Sequence, residues 1–177
     1  FLVNEYKLPK EKVSLLVMGA DDEAVQKAKN KDVYEEIRSS LGIAKDDILI
    51  MTGGKIDQFK TQTLLLMEAV KKLNKSNVKL IVFGSVTPEL KEKVNELCDN
   101  NIVKYIGWIQ SKDSYKYFAT SDLVVFPGRH SVFWEQVAAQ GKPMIVKHWD
   151  GTTHVDYNGN VRFLYNDSVD EIESVLK

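Results

Sequence analysis

The sequence predicts an α/β fold: a Rossmann-like, doubly wound parallel sheet in a single domain. Three observations carry that expectation. Short apolar runs alternate with longer segments of helical periodicity, the alternation that builds a parallel sheet with helices on both faces. Most of the apolar runs stop at glycine or proline, as strands do before a turn. The 177 residues suffice for one good-sized domain and its core, and no internal repeat, low-complexity tract or long linker divides them.

The elements follow in order. Val13 to Met18 is an apolar run of strand type. Asp22 to Leu41 is polar and helical and ends at Gly42, a residue suited to a helix C-terminus. Ile48 to Met51 is a strand, followed by Thr52-Gly53-Gly54. Gln58 to Leu73 is a helix, with Phe59, Leu66, Met67, Val70 and Leu73 at helical spacing. Val78 to Phe83 is a buried type of strand that ends at Gly84-Ser85. Thr87-Pro88 opens a helix reaching Cys98, with Pro88 at its first position. Ile102 to Ile106 is a strand before Gly107-Trp108-Ile109, and Ser111 caps a helix through Ala119. Leu123 to Phe126 is a strand broken by Pro127-Gly128. Ser131 to Gln140 is a helix stopped by Gly141. Met144 to Val146 and Val161 to Leu164 are strands, and Val169 to Leu176 is the last helix. Open parallel sheets bind ligands beyond the carboxyl ends of their strands. A site is therefore expected in the loops after Met51, Phe83, Ile106, Phe126 and Val146.

Composition excludes some classes. Hydrophobic residues make up 44% and charged residues 28%, as in ordinary soluble domains. Lys and Arg number 24 against 25 Asp and Glu, so charge gives no reason to expect nucleic acid or a membrane surface as the main partner. No apolar run is long enough to span a bilayer. Cys98 stands alone, which rules out an internal disulfide and fits a reduced, cytoplasmic setting. The chain opens at Phe1 without a methionine, and residues 1–12 read as the remnant of a connection to a preceding lobe.

The loop from Thr52 to Lys60 is the richest in chemistry. Gly53 and Gly54 let a backbone approach a ligand closely. The helix that follows offers free N–H groups and a positive dipole end to an anion, and Lys55 and Lys60 add cations. A diphosphate matches these features. A glycine turn with solvated lysines fits the same residues. Neither the Walker spacing nor GxGxxG is present.

The loop after Phe126 reads Pro127-Gly128-Arg129-His130-Ser131 and places His130 and Ser131 at a helix N-terminus. Glu135 follows one turn on, among Phe133, Trp134, Val137, Ala138 and Ala139. A carboxylate on so apolar a helix needs a partner, either a sugar diol or a buried Lys or Arg. His130, His148 and His154 match no metal-ligand spacing, and no metal site is expected. Asp21 reads as a helix N-cap.

In this order the loops resemble the C-terminal domain of group 1 glycosyltransferases, one lobe of the two-lobed B-type fold. Val17-Met18-Gly19-Ala20-Asp21 stands for the family's opening Asn-Gly-Val-Asp, and Leu41-Gly42-Ile43 for its Leu-Gly-Ile. Gly54-Lys55 and Lys60-Thr61 occupy the places of Gly-Arg and Lys-Gly, whose cations hold the donor diphosphate. Gly84 matches the glycine ending the next strand. Tyr105-Ile106-Gly107-Trp108-Ile109 is similar to Phe-x-Gly-x-Val, whose last residue meets the base through its backbone. Ser121 to Pro127 and Glu135 to Ile145 match the stretches Ala-Asp-Val-Phe-Val-Pro-Ser and Glu-Ala-Met-Ala-x-Gly-x-Pro-Val-Ile.

The resemblance implies a retaining, metal-independent transfer of sugar from a nucleotide diphosphate sugar, with no cofactor. Lys55 and Lys60 would stabilise the leaving diphosphate. Gly53, Gly54, Gly84, Ile109, His130, Ser131 and Glu135 would bind the donor, with Glu135 on the ribose hydroxyls. A saccharide or lipid-linked acceptor, as in polysaccharide biosynthesis, would reach the site through an N-terminal lobe outside this sequence. That lobe could also hold the protein at the inner face of a membrane. The lobe alone is expected to bind donor without turnover. Two departures stand out. Lysine replaces the family's arginine at Lys55, and Pro127 stands where the family has an earlier glutamate, in a shortened loop. The segment from Gly128 to Glu135 also resembles sugar-nucleotide epimerases of the same fold, and a non-catalytic domain that kept the fold is a further alternative.

Overall fold

The computed structural model describes residues 1–14, 16 and 18–177. Its centre is a sheet of six strands: β1 (Ile48–Gly53), β2 (Val78–Phe83), β3 (Val103–Tyr105), β4 (Leu123–Phe126), β5 (Met144–Lys147) and β6 (Val161–Leu164). Their order is β3-β2-β1-β4-β5-β6, and every pairing is parallel. β1 sets Ile48 opposite Val78 and Gly53 opposite Phe83 on one side, and Ile50 opposite Leu123 on the other.

Side-chain alternation along the strands feeds two cores. Ile50, Leu80 and Val82 face the layer of α3 (Gln62–Leu73), α4 (Lys91–Leu97) and α7 (Val169–Leu176), meeting Leu66, Met67, Val70, Val94 and Ile172. Leu49, Met51, Ile81 and Phe83 face the layer of α5 (Ser114–Thr120) and α6 (Phe133–Ala139), meeting Phe118, Trp134 and Val137. The expected doubly wound sheet is therefore present, with helices on both faces.

Several boundaries differ from the sequence reading, each for a local reason. The polar stretch 22–41 is two helices, α1 (Asp22–Ala28) and α2 (Lys31–Leu41). The break comes where the Asn30 side chain accepts a hydrogen bond from the Asp32 N–H and starts a new helix. α3 begins at Gln62 and not near residue 58. The Asp57 side chain accepts the Phe59 N–H and its carbonyl accepts the Lys60 N–H, which folds that stretch into a turn. Phe59 is consequently exposed and takes no part in the helix's core stripe. The apolar run 13–18 is no strand in its described part: Val13, Ser14, Leu16 and Met18 are irregular, and Leu15 and Val17 lie outside the described residues. Asp21 does cap α1, accepting the Ala24 N–H.

One buried cation braces the amino ends of the central strands. Arg38, 6% exposed, reaches from α2 to Asp122 Oδ2 at 3.2 Å and to the carbonyls of Ala44 and Asp47. The same Asp122 oxygen accepts the Leu49 N–H.

The carboxyl ends are stitched together by backbone. The Gly54 N–H donates to the Phe83 carbonyl, the Gly84 N–H to the Gly107 carbonyl, and the Ile56 N–H to the Ser85 carbonyl. The Tyr105 hydroxyl donates to the Gly84 carbonyl at 2.6 Å. Gly84 has φ +125°, and a Cβ on it would stand 1.8 Å from the Gly54 carbonyl oxygen. A side chain at this position would thus meet both backbone strain and backbone atoms that cannot move aside. Gly84→Ala should cost at least about 1–3 kcal/mol of stability, read as a lower urea midpoint. An unchanged midpoint would show that the two loops can separate freely.

Candidate functional site

The loops after β1, β2 and β3 line a hollow of about 130 Å³ at the carboxyl edge, bounded by Gly54, Gly84, Ser85, Trp108, Ile109 and Phe133. Its floor is Phe83, at the end of the fully buried β2. Trp108 stands 68% exposed at the rim. Gly54 and Lys55 also belong to a second, narrower hollow between the β1 and β4 loops, lined further by Gly53, Lys60, Arg129 and Ser131. The fold thus gathers most of the residues chosen from sequence: Gly53, Gly54, Lys55, Lys60, Gly84, Ile109 and Ser131 form one continuous trough.

Three cations border the narrow part. The Lys55 ammonium lies 3.2 Å from Asp57 and is still largely exposed. Lys60 ends the turn before α3, and the Arg129 guanidinium lies 5.5 Å from the centroid of the Phe59 ring. Burial pushes the Asp57 carboxyl up, but the Phe59 N–H and Lys55 outweigh it and hold the group below its ordinary range. Arg129, Trp108 and Phe133 are residues the sequence reading passed over. Arg129 lies in the same loop as His130, and its charge was the available signal.

Glu135 lies in the first turn of α6, 7% exposed. Its partner is neither a Lys nor an Arg. Oε1 is 2.9 Å from His130 Nε2 and 2.9 Å from His154 Nε2, and Oε2 is buried without a hydrogen-bond partner among the described residues. His154 comes from the 3-10 turn Thr153–Val155 between β5 and β6. His130 packs edge-on to Trp134 at 4.9 Å and lies 5.8 Å from His154. The sequence spacing carried no metal signature, but the fold brings one ligand atom from each of these three side chains within 4.8 Å of the others. His148 stands apart, stacked on Tyr165. Burial raises the Glu135 carboxyl. The hydrogen bonds from His154, from its own backbone N–H and from His130 outweigh burial and hold it below the ordinary range.

Larger hollows lie elsewhere, of about 480 Å³ between α1 and α5 and about 630 Å³ against α2. Neither adjoins the glycine loops at the carboxyl edge. No described helix is long and apolar enough to cross a membrane.

The fold is that of a Rossmann-like, parallel α/β lobe. The profile of the group 1 glycosyl transferases matches residues 46–176, and the chain belongs to that family. It is 22% identical over 157 residues to an uncharacterized glycosyltransferase of Methanocaldococcus jannaschii, covering 85% of this chain and 40% of the relative. A glycosyltransferase of Rickettsia africae superposes with a TM-score of 0.81 at 16% identity, over 99% of this chain and 48% of that one. Anabaena HepE, solved in complex with UDP-glucose, superposes with a TM-score of 0.73 at 18% identity, over 95% and 48%. The chain therefore spans about half, or less, of the length of these relatives.

The Glu135 cluster makes stability depend on acid. A carboxyl held low in the folded state stabilises it above the unfolded value near 4.5, and that stabilisation disappears as pH falls through the folded value. Glu135→Gln should be less stable at neutral pH by about 1–3 kcal/mol and should lose less than the native chain on acidification below that value. Parallel acid-melting curves for the two proteins would contradict the assignment.

Proposed function

We propose that the chain is the donor-binding lobe of a glycosyltransferase that moves a sugar from a nucleoside diphosphate sugar to a saccharide-type acceptor. The observation that carries this reading is the convergence of Lys55, Lys60 and Arg129 on a hollow floored by glycine backbone at the switch point of a parallel sheet. Such a place suits a diphosphate.

The nucleobase would occupy the hollow beside Gly84, Trp108 and Ile109, where backbone groups and an exposed indole are offered to a flat ring. The diphosphate would follow toward Gly53, Gly54 and the cations. His130 and Ser131 would line the donor phosphate or sugar beyond them. As the glycosidic bond breaks, charge grows on the leaving diphosphate. Lys55 and Lys60 would stabilise that charge, the logic of an oxyanion hole. A second lobe, of the kind that makes up the rest of the relatives' length, would bring the acceptor, and the present lobe would bind donor without turning it over. The HepE complex with UDP-glucose supports a uridine donor as the first to try. Pro127, in place of the family's earlier glutamate, leaves the identity of the donor sugar open to the same experiment. Retention of configuration is what the family resemblance implies, and product analysis with the complete enzyme would test it.

Each of Lys55→Ala, Lys60→Ala and Arg129→Ala should weaken UDP binding about tenfold or more, since a charge-assisted hydrogen bond contributes roughly 1.5–3 kcal/mol. Titration calorimetry on the chain measures this. Equal affinity in all three variants would remove the diphosphate from the trough.

A further inference from the structure

We infer that Glu135 serves the donor site through imidazole and not through its own oxygens: it is a positioning residue, and His130 and His154 are the groups it presents to the phosphates of the bound nucleotide. The inference rests on reading the trough as a nucleoside diphosphate site, and it adds His154 to that site.

The first ground is access. Oε1 is taken by both imidazoles at 2.9 Å, and Oε2 is buried out of reach of solvent. A ligand in the trough meets neither oxygen. The histidine side chains are 32% and 35% exposed, against 7% for the glutamate, so the imidazoles are what the cluster shows to the outside.

The second ground is hydrogen-bond chemistry. An ionised carboxylate only accepts, so both Nε2 atoms carry their protons toward Oε1. That leaves Nδ1 as the remaining polar atom of each ring, and no described residue bonds to either one. A ring protonated at both nitrogens donates Nδ1–H to a phosphate oxygen while Nε2–H stays on Glu135, charge-assisted at both ends. A metal ion would instead require Nε2 to be deprotonated and the Nδ1–H groups to be held by acceptors, which the described residues do not supply. The N to O separations are those of direct hydrogen bonds.

The third ground is position. His130 sits between Arg129 and Ser131, which line the hollow with Lys55 and Lys60. The loop carrying His154 is tied to this one, because the Trp149 Nε1–H donates to the Gly128 carbonyl at 3.4 Å. The imidazole pair is thereby held beside the loop that carries Arg129 and Ser131.

The test is a double-mutant cycle on the 177-residue chain, read by calorimetry with the tightest binder among UDP, GDP and ADP. His154→Ala and Glu135→Ala should each weaken binding about tenfold. In a His130→Ala, His154→Ala background, Glu135→Ala should cost no more than about twofold further, since residues acting as one unit are not additive. If glutamate itself touches the ligand, the tenfold loss persists in that background and the inference falls. Imidazole ¹⁵N spectra supply a readout that mere structural support would not move. The nucleotide should shift the His130 and His154 ring signals, and unmoved rings would overturn the proposal. Glu135→Gln and the histidine-to-glutamine variants replace any alanine variant whose melting shows that it does not fold. Loss of binding in Lys55→Ala with none in His154→Ala sinks this inference alone. No binding of any of the three nucleotides by the native chain sinks the diphosphate reading with it. Stoichiometric zinc in the purified protein would also overturn it, since the same atoms would then be metal ligands.

Discussion

Everything at the carboxyl edge depends on β1 pairing in parallel with both β2 and β4. The chain travels outward from β1 to β3, then returns to the other side of β1 to lay down β4, β5 and β6. The loops after β1 and β4 therefore leave the sheet toward opposite faces and part at the switch point. That parting is the trough. The Arg38–Asp122 pair holds the opposite end, where one carboxylate oxygen takes both the guanidinium and the Leu49 N–H of β1. An error in this register would move Gly54 away from Gly84 and remove the hollow between them.

The trough is built from backbone more than from side chains. Gly54 and Gly84 pass so closely that neither loop has room for a Cβ at Gly84. The Gly54 and Gly84 N–H groups are spent in holding the loops together, on the Phe83 and Gly107 carbonyls. Lysines on flexible surface loops are worth little alone, because water screens them. Here the lysines of a turn and the arginine of a distant loop line one hollow.

The β4–α6 loop is where this chain differs from the sequence pattern it resembles. It runs directly from β4 into the Pro127-Gly128 turn and reaches α6 without the earlier glutamate. Beside it lie an imidazole pair and the Glu135 carboxylate that joins them, with His130 packed edge-on to Trp134. Burying Glu135 this way has a desolvation cost. Two N–H donors offset part of it, and Oε2 has no hydrogen-bond partner among the described residues.

Much of the fold was legible in the sequence because the strands are short apolar runs with hard stops. Leu123–Phe126, Val161–Leu164 and Val169–Leu176 were read to the residue. Gly42 and Gly141, at positive φ, ended the helices as expected. Local signals failed where two neighbouring turns compete, as at Asn30 and Asp57, since periodicity cannot see a side chain capping a new helix. For the site, the glycines and lysines of one loop could be named from sequence, because their chemistry is local. The partners of Glu135 could not. His154 lies 19 residues away along the chain and reaches the carboxylate only because β5 pairs with β4 and its loop folds back over Gly128. By itself the sequence determined which residues could bind an anion. Only the tertiary structure decided which of them meet, because parallel pairing joins segments by their place in the sheet and not by their distance along the chain.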